Sequence, residues 1–186
     1  MDMIIIVTGT PGVGKTVFAK ELARLLEWRY VDLNDLLIKL NLIEGYDAYR
    51  KAYIIDTNNA WDSIKDYLLS KNSIVDSHIA QDIIPRKYVH LCIVLRCEPN
   101  ELVRRLKAKS YNSEKIRENV QAEILDVIYA DALSRYGSDR VISVDVTKGV
   151  LNKAIEIYQY IRRGVTPLSD NVNWLTEENF RKFFMD

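Results

Sequence analysis

Eight residues constrain the fold of this chain more than any others. Gly9-Thr10-Pro11-Gly12-Val13-Gly14-Lys15-Thr16 matches G-x-x-x-x-G-K-[ST] at every fixed position. Residues 3–7 (MIIIV) form an uncharged run of strand formers before it, as a strand buried on both faces requires. Val17, Phe18, Leu22, Leu25 and Leu26 follow at roughly helical spacing. Strand, glycine loop and helix in that order are the context a phosphate-binding loop needs. Glycines let backbone N–H groups curl around phosphate oxygens, and the helix points its positive end at them. Lys15 can reach the β- and γ-phosphates, and Thr16 offers a hydroxyl to Mg²⁺. A chance glycine-rich turn is the alternative, but motif and context agree. The chain is expected to bind a nucleoside triphosphate.

The remaining pattern alternates strand and helix. Further apolar strands are read at residues 28–33, 73–76, 89–96 and 140–146. Helices are read at 33–40 (Asn34 as N-cap), 57–70, 99–109, 113–136 and 149–162. The fourth is read as one long helix with a stripe of Ile116, Val120, Ile124, Val127 and Ile128. This order predicts an α/β P-loop fold: a five-stranded parallel sheet with helices on both faces. Residues 42–55, polar and rich in tyrosine, resemble a flap. The domain is expected to span residues 1–163. Residues 164–170 read as a linker to a tail carrying Trp174, Leu175, Phe180, Phe183 and Phe184. That tail is expected to pack back on the domain; docking to a partner is the alternative.

Composition narrows the setting. The 186 residues carry a formal net charge of +0, so no global pull toward nucleic acid or membrane is implied. No apolar stretch is long enough to span a bilayer, and the first strand starts so early that no signal peptide is expected. Cys92 and Cys97 have neither metal nor redox spacing and are expected to be reduced, pointing to a cytoplasmic setting.

Candidates for chemistry cluster after strands. Asp76 ends an apolar strand, where a carboxylate can hold Mg²⁺ directly or through water; capping a turn is the bland alternative. His78 can orient a water or touch a phosphate, or be polar surface. Asp32 and Asp35 flank the second strand's end and suit acceptor binding or helix capping equally. Asp56 and Thr57 read as an N-cap pair. Arg105 and Lys109 share a helix face leading into a polar stretch, and Arg104, Lys107, Lys115 and Arg117 add cations around it. Phosphoryl transfer needs such cations, and a lid that excludes water. A solvated charged hairpin is the alternative. Arg86, after the Asp76 strand, is a candidate grip on an acceptor phosphate.

Taken in order, several stretches resemble one family. They are the G-T-P-G-V-G-K-T loop, Asp32-Leu33-Asn34-Asp35-Leu36, Glu44-Gly45-Tyr46-Asp47, Ile74-Val75-Asp76-Ser77-His78, and the run from Tyr111-Asn112 to Asn119-Val120-Gln121-Ala122-Glu123-Ile124. These are similar to the sixth adenylate kinase isoenzyme family of eukaryotes and archaea. The tail around Asn173-Trp174-Leu175 resembles the archaeal members more. The resemblance implies a nucleoside monophosphate kinase fold, ATP as donor, AMP as preferred acceptor, Mg²⁺ and ATPase activity. It also implies a part in small ribosomal subunit maturation through ribosomal protein uS11 and pre-ribosomal RNA. By position, Gly12, Val13, Gly14, Lys15, Thr16 and Val17, with Lys109, would hold ATP. Asp76 and His78 would form the pair after the third strand, residues 33–56 the acceptor flap and residues 108–118 the lid. Val17 stands where the family has Thr, and Lys109-Ser110 where it has Arg-Gly, so slower transfer is expected. Two rival readings remain: an assembly factor driven by ATP hydrolysis, and a kinase for another nucleoside monophosphate.

Overall fold

A computed structural model of the chain describes residues 3–47, 52–55 and 57–185. The apolar run at the start becomes β1 (Ile4–Gly9), buried along its whole length. Four further strands join it: β2 (Arg29–Asp32), β5 (Ser73–Asp76), β6 (Val89–Arg96) and β7 (Val141–Asp145), in the order β2-β5-β1-β6-β7. All four pairings are parallel. Burial on both faces follows from the parallel arrangement, because each crossover must lay a helix over the sheet.

Side-chain alternation along the strands divides the interior in two. Ile5, Val7, Ile93 and Leu95 face α1 (Lys15–Leu26), α5 (Pro99–Ala108), α6 (Ser113–Ile124) and α8 (Val150–Arg162). Ile4, Ile6, Val75, Cys92 and Val94 face α2 (Leu33–Lys39), α3 (Thr57–Leu68), the single turn α4 (Ala80–Ile83) and α7 (Val127–Tyr136). Cys92 and Cys97 are both buried free thiols.

The expected long helix over 113–136 is corrected by this layering. It is two helices, because α6 buries its apolar side on one face of the sheet and α7 on the other. The break falls at Asp126, in the left-handed region at φ 57°. Val127, read as part of the buried stripe, is 47% exposed. The expected Asn34 cap is also corrected: Asp32 caps α2, accepting the Asp35 N–H at 3.1 Å. The residues read as a flap contain an antiparallel strand pair, β3 (Ile43–Asp47) with β4 (Ala52–Ile55), apart from the main sheet. Asp56 and the Thr57 side chain, read as a cap pair, lie outside the described residues.

Beyond α8 the chain turns at Gly164 and runs back along β7. The Asp170 N–H donates to the Ser143 carbonyl at 2.8 Å, and the Ser143 N–H donates to Ser169 Oγ at 2.7 Å. Helix α9 (Glu177–Phe184) then lies on α6, where Gln121 Nε2 donates to the Phe183 carbonyl at 2.7 Å. Trp174, Phe183 and Phe184 pack against the α6 side of the core. The tail thus lies on the domain. Among the described residues no helix is long and apolar enough to cross a membrane.

Candidate active site

In an all-parallel sheet every strand delivers its carboxyl end to the same edge, and ligands bind outside that edge. Here the register sets Val7, Asp76 and Asp32 side by side, with Gly9 beside Leu95 and Arg96 beside Asp145. Chain direction also diverges around β1: the connection to β2 runs to one side and that from β5 to β6 to the other. The crevice therefore opens directly above β1, where the glycine loop begins.

The loop needs its glycines for both conformation and room. Gly12 has φ 93°, and a Cβ there would sit 2.7 Å from Leu106 Cδ2. Gly14, at φ 115°, precedes α1, and a Cβ would sit 2.8 Å from Val150 Cγ2. Both loop flanks are thus packed tightly against neighbouring elements. Val13 is fully buried below the loop, whereas Val17, on the first turn of α1, is 52% exposed.

Lys15 Nζ donates to the carbonyls of Gly9 at 2.8 Å and Thr10 at 3.2 Å. Burial pushes its pKa down to about 8, nearby Lys109 adds to the fall, and Asp76 and Glu123 oppose it. Thr16 Oγ1 donates to Asp76 Oδ2 at 2.7 Å, and Tyr30 Oη donates to the same oxygen at 3.2 Å. Burial, then Asp76 and Asp32, raises the Tyr30 phenol well above its ordinary value, so it stays protonated as a donor. His78 stands at the rim. Burial and Lys15 lower its pKa, against the pull of Asp76 and Asp32. Lys15, Thr16, Asp76, His78 and Lys109 therefore lie around one crevice, with Asp32 at its side.

As a lid cation Arg105 is expected to face the transferring group, but all three of its guanidinium nitrogens are engaged elsewhere. Nε pairs with Glu101 at 2.8 Å, Nη1 donates to the Val13 carbonyl at 2.7 Å, and Nη2 donates to Val146 and Thr147 carbonyls at 2.9 and 3.0 Å. It clamps the phosphate loop to the β7–α8 connection. Arg104 pairs with Glu101 and Lys115 with Glu118, both on the outer surface. Asp35 is exposed and pairs with Lys39 at 3.4 Å, while Asp32 serves as a cap whose carboxylate still borders the crevice.

Arg86 is the clearest correction. It lies just before Val89, which pairs with Ile4 at the start of β1, so it belongs to the amino edge of the sheet. The length of β1 separates the two edges, roughly 15–20 Å at about 3.3 Å per residue. There Arg86 makes a two-pronged pair with Asp139 at 2.8 Å and donates to the Tyr136 carbonyl at 2.7 Å. Arg86→Ala is expected to lower Tm by no more than about 2–4 °C, since the pair it breaks is half-exposed and screened by solvent. The KM for any phosphate acceptor is expected to stay unchanged in steady-state assays.

Sequence reading assigned no site role to Tyr30 or to Glu123, which is 2% exposed and accepts from Thr10 Oγ1 at 2.5 Å. A readable signal existed for Glu123. It shares a helix face with Ile116, Asn119 and Val120, all buried, and a carboxylate on such a face needs a partner.

Thr16, Tyr30 and Asp76 put oxygen donors at one point, the chemistry a hard divalent cation prefers. Among the described residues no cluster of three His, Cys, Asp or Glu offers a self-sufficient metal cage. One carboxylate with a neighbouring hydroxyl fits Mg²⁺, which is commonly held by one or two carboxylates together with substrate phosphates.

A sequence profile described as an AAA domain matches residues 5–126. The chain is 38% identical over 141 residues to the Saccharomyces cerevisiae protein named adenylate kinase isoenzyme 6 homolog FAP7, covering 75% of this chain and 71% of that one. It is 37% identical to a putative adenylate kinase of Thermococcus kodakarensis, over 92% of this chain and 93% of the relative. Among solved structures, shikimate kinase from Acinetobacter baumannii in complex with shikimate superposes with TM-score 0.61 at 14% identity, covering 88% and 95% of the two chains. Shikimate kinase from Bacteroides thetaiotaomicron gives 0.56 at 15% identity, covering 86% and 98%. Those two likenesses show a shared P-loop kinase fold. With its phosphate loop, its parallel sheet and these relatives, the chain belongs to the adenylate kinase isoenzyme 6 family.

Proposed function

We propose that this protein transfers the γ-phosphoryl group of ATP to AMP, giving two ADP. The observation that carries the reading is the grouping of Lys15, the Thr16–Asp76 pair and Lys109 around one crevice. Phosphoryl transfer needs little covalent chemistry from a protein; it needs positioning and cations aimed at the charge of the transferring group. Backbone N–H groups from Gly12 to Val17 bind the triphosphate, and Lys15 leaves the loop carbonyls for the β- and γ-phosphate oxygens. Thr16 and Asp76 would hold Mg²⁺, which when bound would offset the negative charge of the phosphates. The stretch from Lys109 to Asn112, joining α5 and α6, acts as the lid, with Lys109 closing over the phosphates. Helix α2 and the β3–β4 pair form the acceptor flap, beside Asp32. Residues 1–163 carry this machinery, and residues 164–186 form an appended tail.

A second reading is ATP hydrolysis. His78 borders Lys15 and Asp76 and is placed to orient a water when no acceptor is bound. Family membership supports such an activity, in the cytoplasm, coupled to small ribosomal subunit maturation through uS11 and pre-ribosomal RNA. One experiment separates the two: ADP production from ATP and Mg²⁺ with and without AMP, CMP, GMP or UMP. A large increase specific to AMP supports the kinase. An equal rate without any acceptor overturns it in favour of hydrolysis, and uS11 binding then becomes the next measurement.

A further inference from the structure

The phosphate loop is gripped from below by both helices that carry the lid. Helix α5 reaches it through Arg105, on the Val13 carbonyl. Helix α6 reaches it through Glu123, in its last turn, whose Oε2 accepts from Thr10 Oγ1 at 2.5 Å. The other Glu123 oxygen accepts from Arg96 Nε at 2.8 Å and from the Cys97 N–H at 3.0 Å. Arg96 also donates to the Glu123 carbonyl at 3.0 Å and to Asp126, which breaks the chain between α6 and α7. Thr10, Arg96 and Glu123 are 1%, 2% and 2% exposed, so these three are shielded from solvent, with Asp126 at the outer edge of the cluster.

A buried charge cluster has few alternative arrangements, because any shift leaves a charge or donor unpaired. The consequence falls on Lys15. Thr10 supplies one of the two carbonyls that hold Nζ, and its hydroxyl is tied to Glu123. The orientation of the Thr10 peptide, and with it the resting place of Lys15, is thus set from the foot of the lid helix. We propose that Glu123 is a positioning residue for phosphoryl transfer, holding the phosphate loop in register with the lid through the Thr10 hydroxyl. It touches no phosphate itself. Its effect reaches the reaction through the Thr10 peptide and Lys15.

This inference rests on the phosphotransfer reading above. It predicts a specific kinetic signature. Backbone N–H groups of the loop still bind ATP when Glu123 is uncoupled, so the loss belongs to the transition state and appears in kcat. Thr10→Val removes the hydroxyl while leaving the Arg96–Glu123 pair intact, so the fold is kept. It is expected to lower kcat about 10- to 100-fold with KM for ATP changed no more than about threefold. Thr10→Ser, which keeps the hydroxyl, is expected to recover most of the rate. Glu123→Gln removes the charge but can still hold the Thr10 hydroxyl, which accepts from an amide N–H as readily as it donates to a carboxylate, so its loss is expected to be smaller than that of Thr10→Val. The double variant is expected to fall within about twofold of Thr10→Val alone, since no hydroxyl remains for the amide to hold.

Wild-type kcat in Thr10→Val, a loss confined to KM, no recovery in Thr10→Ser, or multiplying losses in the double variant would each overturn the proposal. Should Glu123→Gln fail to fold, the two Thr10 variants decide the matter alone. Every variant is assayed with and without AMP. A wild-type rate indifferent to AMP overturns the acceptor reading, and the variants are then ranked on ATP hydrolysis, so the two failures are distinguishable.

Discussion

Lys15→Met is expected to abolish phosphoryl transfer and, in the same molecule, to make the unliganded protein harder to unfold. Removing a positioned cation from the transferring group is expected to lower kcat by about 10³-fold, read as ADP formation. The stability gain has a separate origin. Burial holds the Lys15 pKa near 8, so the folded protein carries an ammonium that its surroundings disfavour. Below pH 8 that cost is fully present. Between about 8 and 10.5 the unfolded chain binds more protons at this site than the folded one, so stability rises with pH. Replacing the ammonium by a thioether is therefore expected to raise the unfolding free energy on the order of 1–2 kcal/mol at pH 7. Urea denaturation in EDTA checks it: the advantage of Lys15→Met should shrink between pH 7 and pH 10. An advantage that is constant with pH would assign the gain to packing.

Asp76→Asn is expected to lower kcat about 10²- to 10³-fold at low Mg²⁺ and to raise the Mg²⁺ concentration needed for half-maximal rate. The carboxylate accepts two hydroxyl hydrogen bonds on one oxygen, from Thr16 and Tyr30. An amide oxygen can keep both bonds, so nucleotide binding without metal is expected to change little. Titrating Mg²⁺ against rate, beside calorimetry of ATP binding in EDTA, separates the two effects. Equal weakening with and without metal would remove Asp76 from the metal site.

Much of this site is legible because its signals are local. The glycine loop, its flanking strand and helix, and a carboxylate ending the Ser73–Asp76 strand all lie within short windows. Each implies its own neighbourhood once the strands are parallel. Arg86 fails for the opposite reason. It follows Asp76 by ten positions, and nearness in sequence suggests nearness in space. A parallel strand must begin at the far edge, however, so the chain between Asp76 and Val89 travels the whole length of the sheet. Arg105 reads as a lid cation because it shares a helix face with Lys109, and helical spacing cannot show that carbonyls of Val13, Val146 and Thr147 take up its donors. The division between α6 and α7 was hidden because Ile124 and Ile128 keep a helical interval while belonging to opposite faces. Glu123 needed a partner 113 positions away.

The strip of tail beside β7 bears on how copies of this protein meet one another. A parallel sheet has two lateral margins, and each offers backbone groups to any strand that approaches. On the β7 side that offer is already taken within the chain: Ser169 and Asp170 bond to the backbone of Ser143, and Asp170 Oδ2 takes the Asp145 N–H at 2.8 Å. Lys153, 3.2 Å from Asp170, fastens the strip from the helix side. Residues that look like a spacer between domain and tail thus act as a selvedge, finishing the fabric so that it does not join to the next piece. Any fusion or exchange at the C-terminus that keeps this margin closed must begin beyond residue 170.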